Sequence, residues 1–161
     1  MITAKFGGTA ITPANLHFVK EILTPFHNRV VVSAVGKEYA QDVKTTDLLQ
    51  RYYVTGDEGV WRAIADKYAR LAAVNCIPIN AEETLDEAHS RARSRDISYC
   101  MSLGEELSAK FVAKYLNATY VEADGIVRFN GSRLSFNATV SLMKRAFKGV
   151  ELAVTGGYYG M

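Results

Sequence analysis

The chain has 161 residues, of which 48% are hydrophobic and 22% charged, and its formal net charge is +2. This composition supplies one hydrophobic core and excludes a disordered chain, and the small net charge argues against a dedicated nucleic-acid binder. No apolar run approaches the roughly 20 residues that a membrane span requires, and the N-terminus lacks a signal peptide. We therefore expect one cytoplasmic domain that binds neither nucleic acid nor a membrane.

The cysteines and histidines predict neither a disulfide framework nor a metal site. Cys76 and Cys100 are the two cysteines, which fits a reducing compartment. His17, His27 and His89 are scattered along the chain and share no metal-ligand spacing with the cysteines. We expect no bound metal among these side chains.

The hydrophobic pattern predicts strands and helices in an alternating order. In chain order these are a strand at 2–6, a helix at 12–23, a strand at 29–35, helices at 46–54, 57–75, 81–95 and 102–116, strands at 119–122 and 126–129, a helix at 137–147 and a strand at 150–155. This order is typical of a three-layer α/β/α sandwich with a mainly parallel sheet. Because the chain stops shortly after its last strand, in a glycine-rich loop, we expect the sheet to be incomplete.

Glycine-rich segments follow three of the predicted strands, at 5–9, 33–36 and 155–157. Ligands collect at the carboxyl ends of parallel strands, and a double glycine lets backbone N–H groups approach an anion. Lys5 precedes such a pair and can supply positive charge to a phosphate. A glycine turn beside a surface lysine fits the same pattern equally well. The order of lysine and glycines excludes a Walker loop.

Two predicted helix starts carry side chains that can face a ligand. Ser102 would cap the helix at 102–116 and leave Glu105 and Glu106 in its first turn, where the helix dipole favours negative charge. Thr45 and Thr46 lie at the start of the helix at 46–54. Taken alone, ordinary helix capping is the simpler interpretation of each segment.

Taken together and in this order, the motifs resemble those of the aspartate kinases, which belong to the amino-acid kinase superfamily. The resemblance covers residues 1–54 and about 98–161. It rests on Lys-Phe-Gly-Gly-Thr at 5–9, Val-Val-Val-Ser-Ala at 30–34, Thr-Thr-Asp-Leu-Leu at 45–49 and Ser-Leu-Gly-Glu-Glu-Leu-Ser-Ala at 102–109. The segments at 31–37 and 155–161 are similar to the family's Ser-Ala-Pro-Gly-Lys and Pro-Gly-Phe-Tyr-Gly loops.

The resemblance implies an enzyme that uses ATP with Mg²⁺ to phosphorylate the side-chain carboxylate of L-aspartate. The product, 4-phospho-L-aspartate, is the first intermediate toward lysine, threonine and methionine. The resemblance also implies a homo-oligomer, a dimer, for the intact enzyme. Its fold would be the incomplete α/β/α sandwich expected above.

The family's residue roles transfer to matching positions of this sequence. Lys5 matches the catalytic lysine that contacts the transferred phosphoryl group. The ATP phosphates would face Lys5, Phe6, Gly7 and Gly8. The amino acid would be held by Thr46 and Glu105, with Ser33 on the loop that lines the same cleft. These roles suit the chemistry, since Lys5 can neutralise developing charge and Glu105 can pair with the substrate's ammonium group.

The sequence departs from the family pattern at two places. Ala10 stands where the family usually has serine, and the family's Arg-Gly-Gly-Ser-Asp segment, nucleotide-binding strands and regulatory domains have no counterpart. We therefore expect residues 1–161 to form the N-terminal, amino-acid-binding half of the kinase domain, inactive as a chain alone. Two alternatives remain: a non-catalytic amino-acid-binding or assembly module, and an amino-acid kinase for another carboxylate or phosphate.

Overall fold

The computed structural model describes residues 2–157, in which four consecutive helices separate the second strand from the third. In chain order the strands and helices are β1 (Ile2–Phe6), α1 (Leu16–Ile22), β2 (His27–Val32), α2 (Thr45–Thr55), α3 (Glu58–Val74), α4 (Ala81–Arg91), α5 (Ile97–Leu116), β3 (Thr119–Tyr120), α6 (Ala123–Ile126), β4 (Phe129–Asn130), β5 (Arg133–Leu134), α7 (Phe136–Ala146) and β6 (Ala153–Gly156).

Within the described residues, β1, β2, β6 and β3 form one parallel sheet in that order. Because every pairing is parallel, the carboxyl ends of the four strands lie at one edge of the sheet. The last strand of the chain is inserted between β2 and β3, so residues from distant parts of the sequence meet at this edge. The predicted α/β class with a parallel sheet is confirmed.

The core centres on α5, the longest helix of the described range, which packs against the sheet on one side and against α2, α3 and α4 on the other. Leu103, Leu107 and Phe111 are fully buried at four-residue spacing, and α5 contacts β2, β3 and β6. On the sheet, Val30 and Val32, which share one face of β2, are also fully buried, whereas Val31 on the opposite face is half-buried. No helix within residues 2–157 has the length and apolar character needed to cross a membrane.

Helix α5 begins five residues earlier than the sequence predicts, and this changes the position of Glu105. Asp96 is the capping residue, since its Oδ1 accepts a hydrogen bond from Tyr99 N at 2.9 Å. Ser102 lies inside the helix, where its Oγ donates to Tyr99 O at 2.7 Å. The prediction that Ser102 caps the helix and that Glu105 occupies the first turn is therefore wrong.

Two predicted strands are also wrong in extent. β2 ends at Val32, because the chain then turns toward the end of β1 and Gly36 N donates to Gly8 O at 2.9 Å. The predicted strand at 126–129 is divided, since Ile126 ends α6 and Phe129 begins a short antiparallel hairpin. Gly131, with φ +60°, makes the turn of this hairpin.

Apolar side chains are exposed on α1 and at the start of β1 and β2, and β1 is an edge strand of the sheet in the described range. Phe18 and Ile22 on α1 are 46% and 56% exposed. Phe26, just before β2, is 74% exposed, and Ile2 on β1 is 47% exposed. An open strand edge with apolar neighbours favours association with another chain.

The buried hydroxyl of Tyr68 links α3 to α5. It donates to Gly104 O and lies 3.2 Å from Ser108 Oγ. Tyr68→Phe should lower the free energy of unfolding by about 1–3 kcal/mol, because buried polar atoms lose a partner. Urea denaturation measures this, with Tyr39→Phe as the control, since Tyr39 is 59% exposed. Equal stability of the two variants would contradict this role for the hydroxyl.

Candidate functional site

The carboxyl ends of β1 and β2 meet through two glycines. A Cβ on Gly36 would lie 2.5 Å from Gly8 O, and a Cβ on Gly8 would lie 2.7 Å from Ala34 O. No side chain fits at either position, and the hydrogen bond from Gly36 N to Gly8 O depends on this approach. Gly7 differs, because no atom lies within 4 Å of its Cβ position. The turn thus packs on one side and is open on the other.

The predicted phosphate-facing residues divide into exposed and buried groups. Lys5 is exposed at the end of β1, beside the open Gly7. Phe6 is only 6% exposed and belongs to the core, and its carbonyl accepts a hydrogen bond from Ser33 N at 3.1 Å. Phe6 can therefore face a ligand only with its backbone. Ser33 is half-buried beside it.

The first turn of α2 is fixed by Thr45, a residue that the sequence analysis considered only as a cap. Its buried Oγ1 donates to Val35 O at 2.7 Å and so ties the helix to the loop after β2. No side chain caps α2, whose N-cap is Lys44, so capping by either threonine is wrong. Thr46, the next residue, is half-buried.

Helix α5 approaches this region closely at Gly104. A Cβ at position 104 would lie 2.9 Å from Ala34 Cβ, 3.0 Å from Leu49 Cδ1 and 3.4 Å from Thr45 Cγ2. The absence of a side chain therefore sets how near α5 lies to the loop after β2 and to α2. Glu105 follows directly in the chain and enters the strand-end region from this contact.

Glu105 lies against the end of β6. A Cβ on Gly156 would be 3.2 Å from Glu105 Cβ, and one on Gly157 would be 3.6 Å from Glu105 Oε2. This Oε2 is buried without a hydrogen-bond partner among the described residues. Gly157 N donates to Val32 O at 2.9 Å, in the sheet ladder. The glycines thus admit the carboxyl group at close range and leave one oxygen unsatisfied.

Burial raises the pKa of Glu105 to about 7 from its ordinary 4.5. The charge of Lys5 and the nearby N–H of Gly157 act in the opposite direction, since both favour the ionised form. Lys5 thus acts electrostatically on Glu105, although the two residues are 100 positions apart in the sequence. A cationic ligand group at the open oxygen would stabilise the ionised carboxylate further.

The neighbouring Glu106 has the opposite environment. It accepts a hydrogen bond from Arg91 at 2.6 Å and pairs with Lys110 at 2.9 Å. Burial alone would raise the pKa of Glu106, but the hydrogen bonds and charges of Arg91 and Lys110 lower it overall. Glu106 is thus a satisfied structural carboxylate, whereas Glu105 retains unused hydrogen-bonding capacity.

A cavity of about 530 Å³ lies on the Glu106 side of α5, at the ends of β6 and β3. Four of its charged side chains form two ion pairs, Arg91 with Glu106 and Arg95 with Asp124 at 3.7 Å. Neither Glu105 nor Thr46 lines it. Within residues 2–157, no group of three or more His, Cys, Asp or Glu side chains is placed to hold a metal ion.

The fold therefore gathers Lys5, Ser33 and Glu105 around the strand ends, with Thr46 on the adjoining start of α2. The sequence analysis placed Gly36 at a strand end but missed its contact with Gly8, which is a long-range feature. It also missed the burial of the Glu105 carboxyl group. The glycine-rich ending beyond residue 157 lies outside the described residues, so the likeness of 158–161 to a family loop stays a prediction.

Comparison with known proteins relates the chain to one enzyme family, although no protein-family model matches it. Aspartokinase 3 of Bacillus subtilis (strain 168) is 32% identical in an alignment 139 residues long that covers 77% of this chain and 31% of that protein. The crystal structure of the Clostridium acetobutylicum aspartate kinase has a TM-score of 0.91 and 25% identity, and the match covers 98% of this chain and 39% of that chain. The chain is a member of the aspartate kinase family.

A more distant aspartate kinase shares the same fold. Escherichia coli aspartokinase III, crystallised with aspartate and ADP, has a TM-score of 0.72 at 17% identity, covering 98% of this chain and 40% of that chain. The chain thus corresponds to about a third of the length of its curated relative and about two fifths of these structures. Its sheet and helices are those of the matching segment of aspartate kinases.

In this aspartate kinase segment, Glu105→Gln should stabilise the fold at high pH. The folded state raises the pKa of Glu105, so the folded state binds more protons than the unfolded state between about pH 4.5 and pH 7, and stability falls across that range. At about pH 8 the variant should gain about 1–2 kcal/mol after allowance for solvent screening, and near pH 4 the gain should vanish.

Chemical denaturation at the two pH values measures the effect, and Glu106→Gln is the matched control. Glu106 loses its pairing with Arg91 and Lys110 in that variant, so stability should fall at about pH 8. A Glu105→Gln variant less stable than the parent chain at high pH would contradict the unsatisfied carboxylate.

Proposed function

We propose that residues 1–161 form the amino-acid-binding half of an aspartate kinase catalytic domain. In the complete enzyme, the γ-phosphoryl group of ATP would be transferred to the side-chain carboxylate of L-aspartate, giving 4-phospho-L-aspartate for lysine, threonine and methionine synthesis. Family membership supports the reaction class. The observation that carries the assignment of this site is the buried Oε2 of Glu105, which has no hydrogen-bond partner among residues 2–157.

Glu105 would bind the ammonium group of L-aspartate. A buried carboxylate oxygen without a partner is costly, and a charge-assisted hydrogen bond from a ligand ammonium would offset that cost. The charge of Lys5 acts on the same carboxyl group, so a ligand at Glu105 lies within the electrostatic reach of Lys5. The acceptor carboxylate of aspartate can then extend toward the cation while its ammonium group stays at Glu105.

Lys5 and the glycine turn would face the phosphates of MgATP. Phosphoryl transfer needs positioning and fixed positive charge more than covalent assistance. Lys5 is exposed, and Gly7 leaves open space through which phosphate oxygens can approach backbone N–H groups. The described residues offer no carboxylate cluster for Mg²⁺, so we expect the ion to arrive with ATP as part of the donor substrate.

The hydroxyls of Ser33 and Thr46 would complete the amino-acid site. Both residues are half-buried and adjoin the contact between α5 and the loop after β2. Hydroxyl groups can donate to the carboxylates of aspartate without adding charge. In the complete enzyme we also propose a homo-oligomer, which the exposed apolar residues beside β1 would help to form.

Binding of L-aspartate to this chain should depend on Glu105. Glu105→Gln replaces a charge-assisted hydrogen bond with a neutral one, so the dissociation constant should rise by about 10-fold or more. Isothermal titration calorimetry measures it, with Glu106→Gln as the control because Glu106 is already paired within the protein. If both variants lose affinity equally, Glu105 has only a structural role.

The complete enzyme tests Lys5. With the chain joined to the remainder of an aspartate kinase, Lys5→Ala should lower kcat by about 10²-fold or more, because a transition-state charge contact is lost. Lys114→Ala is the control, since Lys114 is exposed near the end of α5. The chain alone should form no measurable aspartyl phosphate. Near-normal turnover of Lys5→Ala would refute the catalytic role and favour the alternative of a non-catalytic amino-acid-binding module.

A further inference from the structure

A buried lysine of α3 reaches the loop that follows β2. Lys67 is only 7% exposed, although the two arginines of α3, Arg62 and Arg70, are exposed. Its Nζ forms a salt bridge with Asp42 and lies 3.5 Å from Gly36 O. A buried ammonium group requires such partners, so this contact is a built feature of the fold.

Asp42 organises the loop from the other side. Its Oδ2 accepts a hydrogen bond from Glu38 N at 2.9 Å, and its Oδ1 accepts one from Val43 N at 2.7 Å. Burial alone would raise the pKa of Asp42, but the hydrogen bonds from Lys67 and Glu38 N, with the charge of Lys67, lower it overall. Asp42 is therefore ionised at neutral pH and holds the segment from Glu38 to Val43 in one conformation.

The loop that Lys67 and Asp42 hold includes Gly36, which contacts Gly8 where β1 and β2 end. Gly36 lies between the Lys67 contact and Gly8, because its carbonyl faces Lys67 Nζ and its N–H donates to Gly8 O at 2.9 Å. The approach of Gly36 to Gly8 leaves no room for a Cβ at position 36. A continuous series of polar contacts therefore joins α3 to the turn after Lys5.

We propose that Lys67 is a positioning residue for the phosphate-facing turn, which it fixes by holding Gly36 against Gly8 through Asp42 and the loop between them. The role toward phosphate rests on the proposed function, whereas the mechanical role does not. Removing Lys67 leaves the ionised Asp42 with backbone donors only, in a site that is 12% exposed, so the loop should open toward water.

Hydrogen exchange of this chain tests the mechanical role in Lys67→Met. The Gly36 N–H should exchange about 10-fold faster or more than in the parent chain, because local opening exposes it. The reference is the Ala118 N–H, which donates to Ala113 O at 2.8 Å at the far end of α5. General destabilisation would accelerate hydrogen exchange at both amides. The proposal requires that exchange accelerate more at Gly36 than at Ala118.

Two further variants, Asp42→Asn and the double variant, test whether Lys67 and Asp42 act together. Asp42→Asn should accelerate hydrogen exchange at Gly36 as Lys67→Met does. In the double variant the acceleration should be smaller than the two single effects combined, because the residues act together. Arg70→Met is the matched control. Arg70 lies one turn further along α3 and pairs with Glu38 of the same loop at 2.7 Å, but it is 59% exposed, so its loss should change Gly36 exchange by less than about twofold.

Titration with MgATP of the chain joined to the remainder of an aspartate kinase, followed by the amide resonance of Gly8, tests the functional role. Lys67→Met should raise the apparent dissociation constant by about 10-fold, because fewer molecules hold the turn in its binding conformation. Unchanged MgATP affinity despite faster Gly36 exchange would overturn the positioning role. So would an acceleration of exchange at Gly36 that is no larger than the acceleration at Ala118. If the complete enzyme with Lys67 in place gives no response to MgATP, the proposed function fails, and Gly36 exchange in the chain still decides whether Lys67 holds the loop.

Discussion

Helix α5 packs against the carboxyl end of the sheet with glycine on each side of the contact. Gly104 of the helix meets Ala34, and Gly156 of β6 meets Glu105. Because no Cβ fits at either glycine without displacing its neighbours, the distance between helix and sheet is set by backbone contact. That distance carries the Glu105 carboxyl group to the end of β6 and buries it there. The location of the site and the protonation of its acid both follow from this packing.

The two adjacent glutamates of α5 differ in role: one stabilises the fold, and the other keeps the capacity to bind a ligand. Glu106 is satisfied by Arg91 and Lys110, so it stabilises the helix against its neighbours. Glu105 has an oxygen that no described residue satisfies, and its burial costs folding free energy whenever it ionises. A ligand that brings a cation to this oxygen recovers that free energy as affinity. A site that is unfavourable in the free protein is in this way prepared for a charged substrate.

Local patterns predicted most of the fold, and long-range contacts account for what they missed. The strands and helices followed from hydrophobic periodicity, and Lys5 and Glu105 from motifs. The start of α5 was misplaced because Ser102 has a typical capping composition, whereas Asp96 supplies the cap. The burial of Glu105 depends on Gly156, which is distant in sequence, and could not be derived locally. Lys67 likewise has the sequence context of an exposed helical lysine, and only the packing of the loop after β2 buries it.

The titration of the Glu105 carboxyl group, followed by carbon NMR with and without L-aspartate, tests the central claim most directly. The account predicts a pKa of about 7 in the free chain, because the carboxyl group is buried and incompletely hydrogen-bonded. With L-aspartate bound, the pKa should fall toward its ordinary value of 4.5, because the ligand's ammonium group stabilises the ionised form. A carboxyl group that titrates near its ordinary value in the free chain and does not respond to L-aspartate would contradict the account.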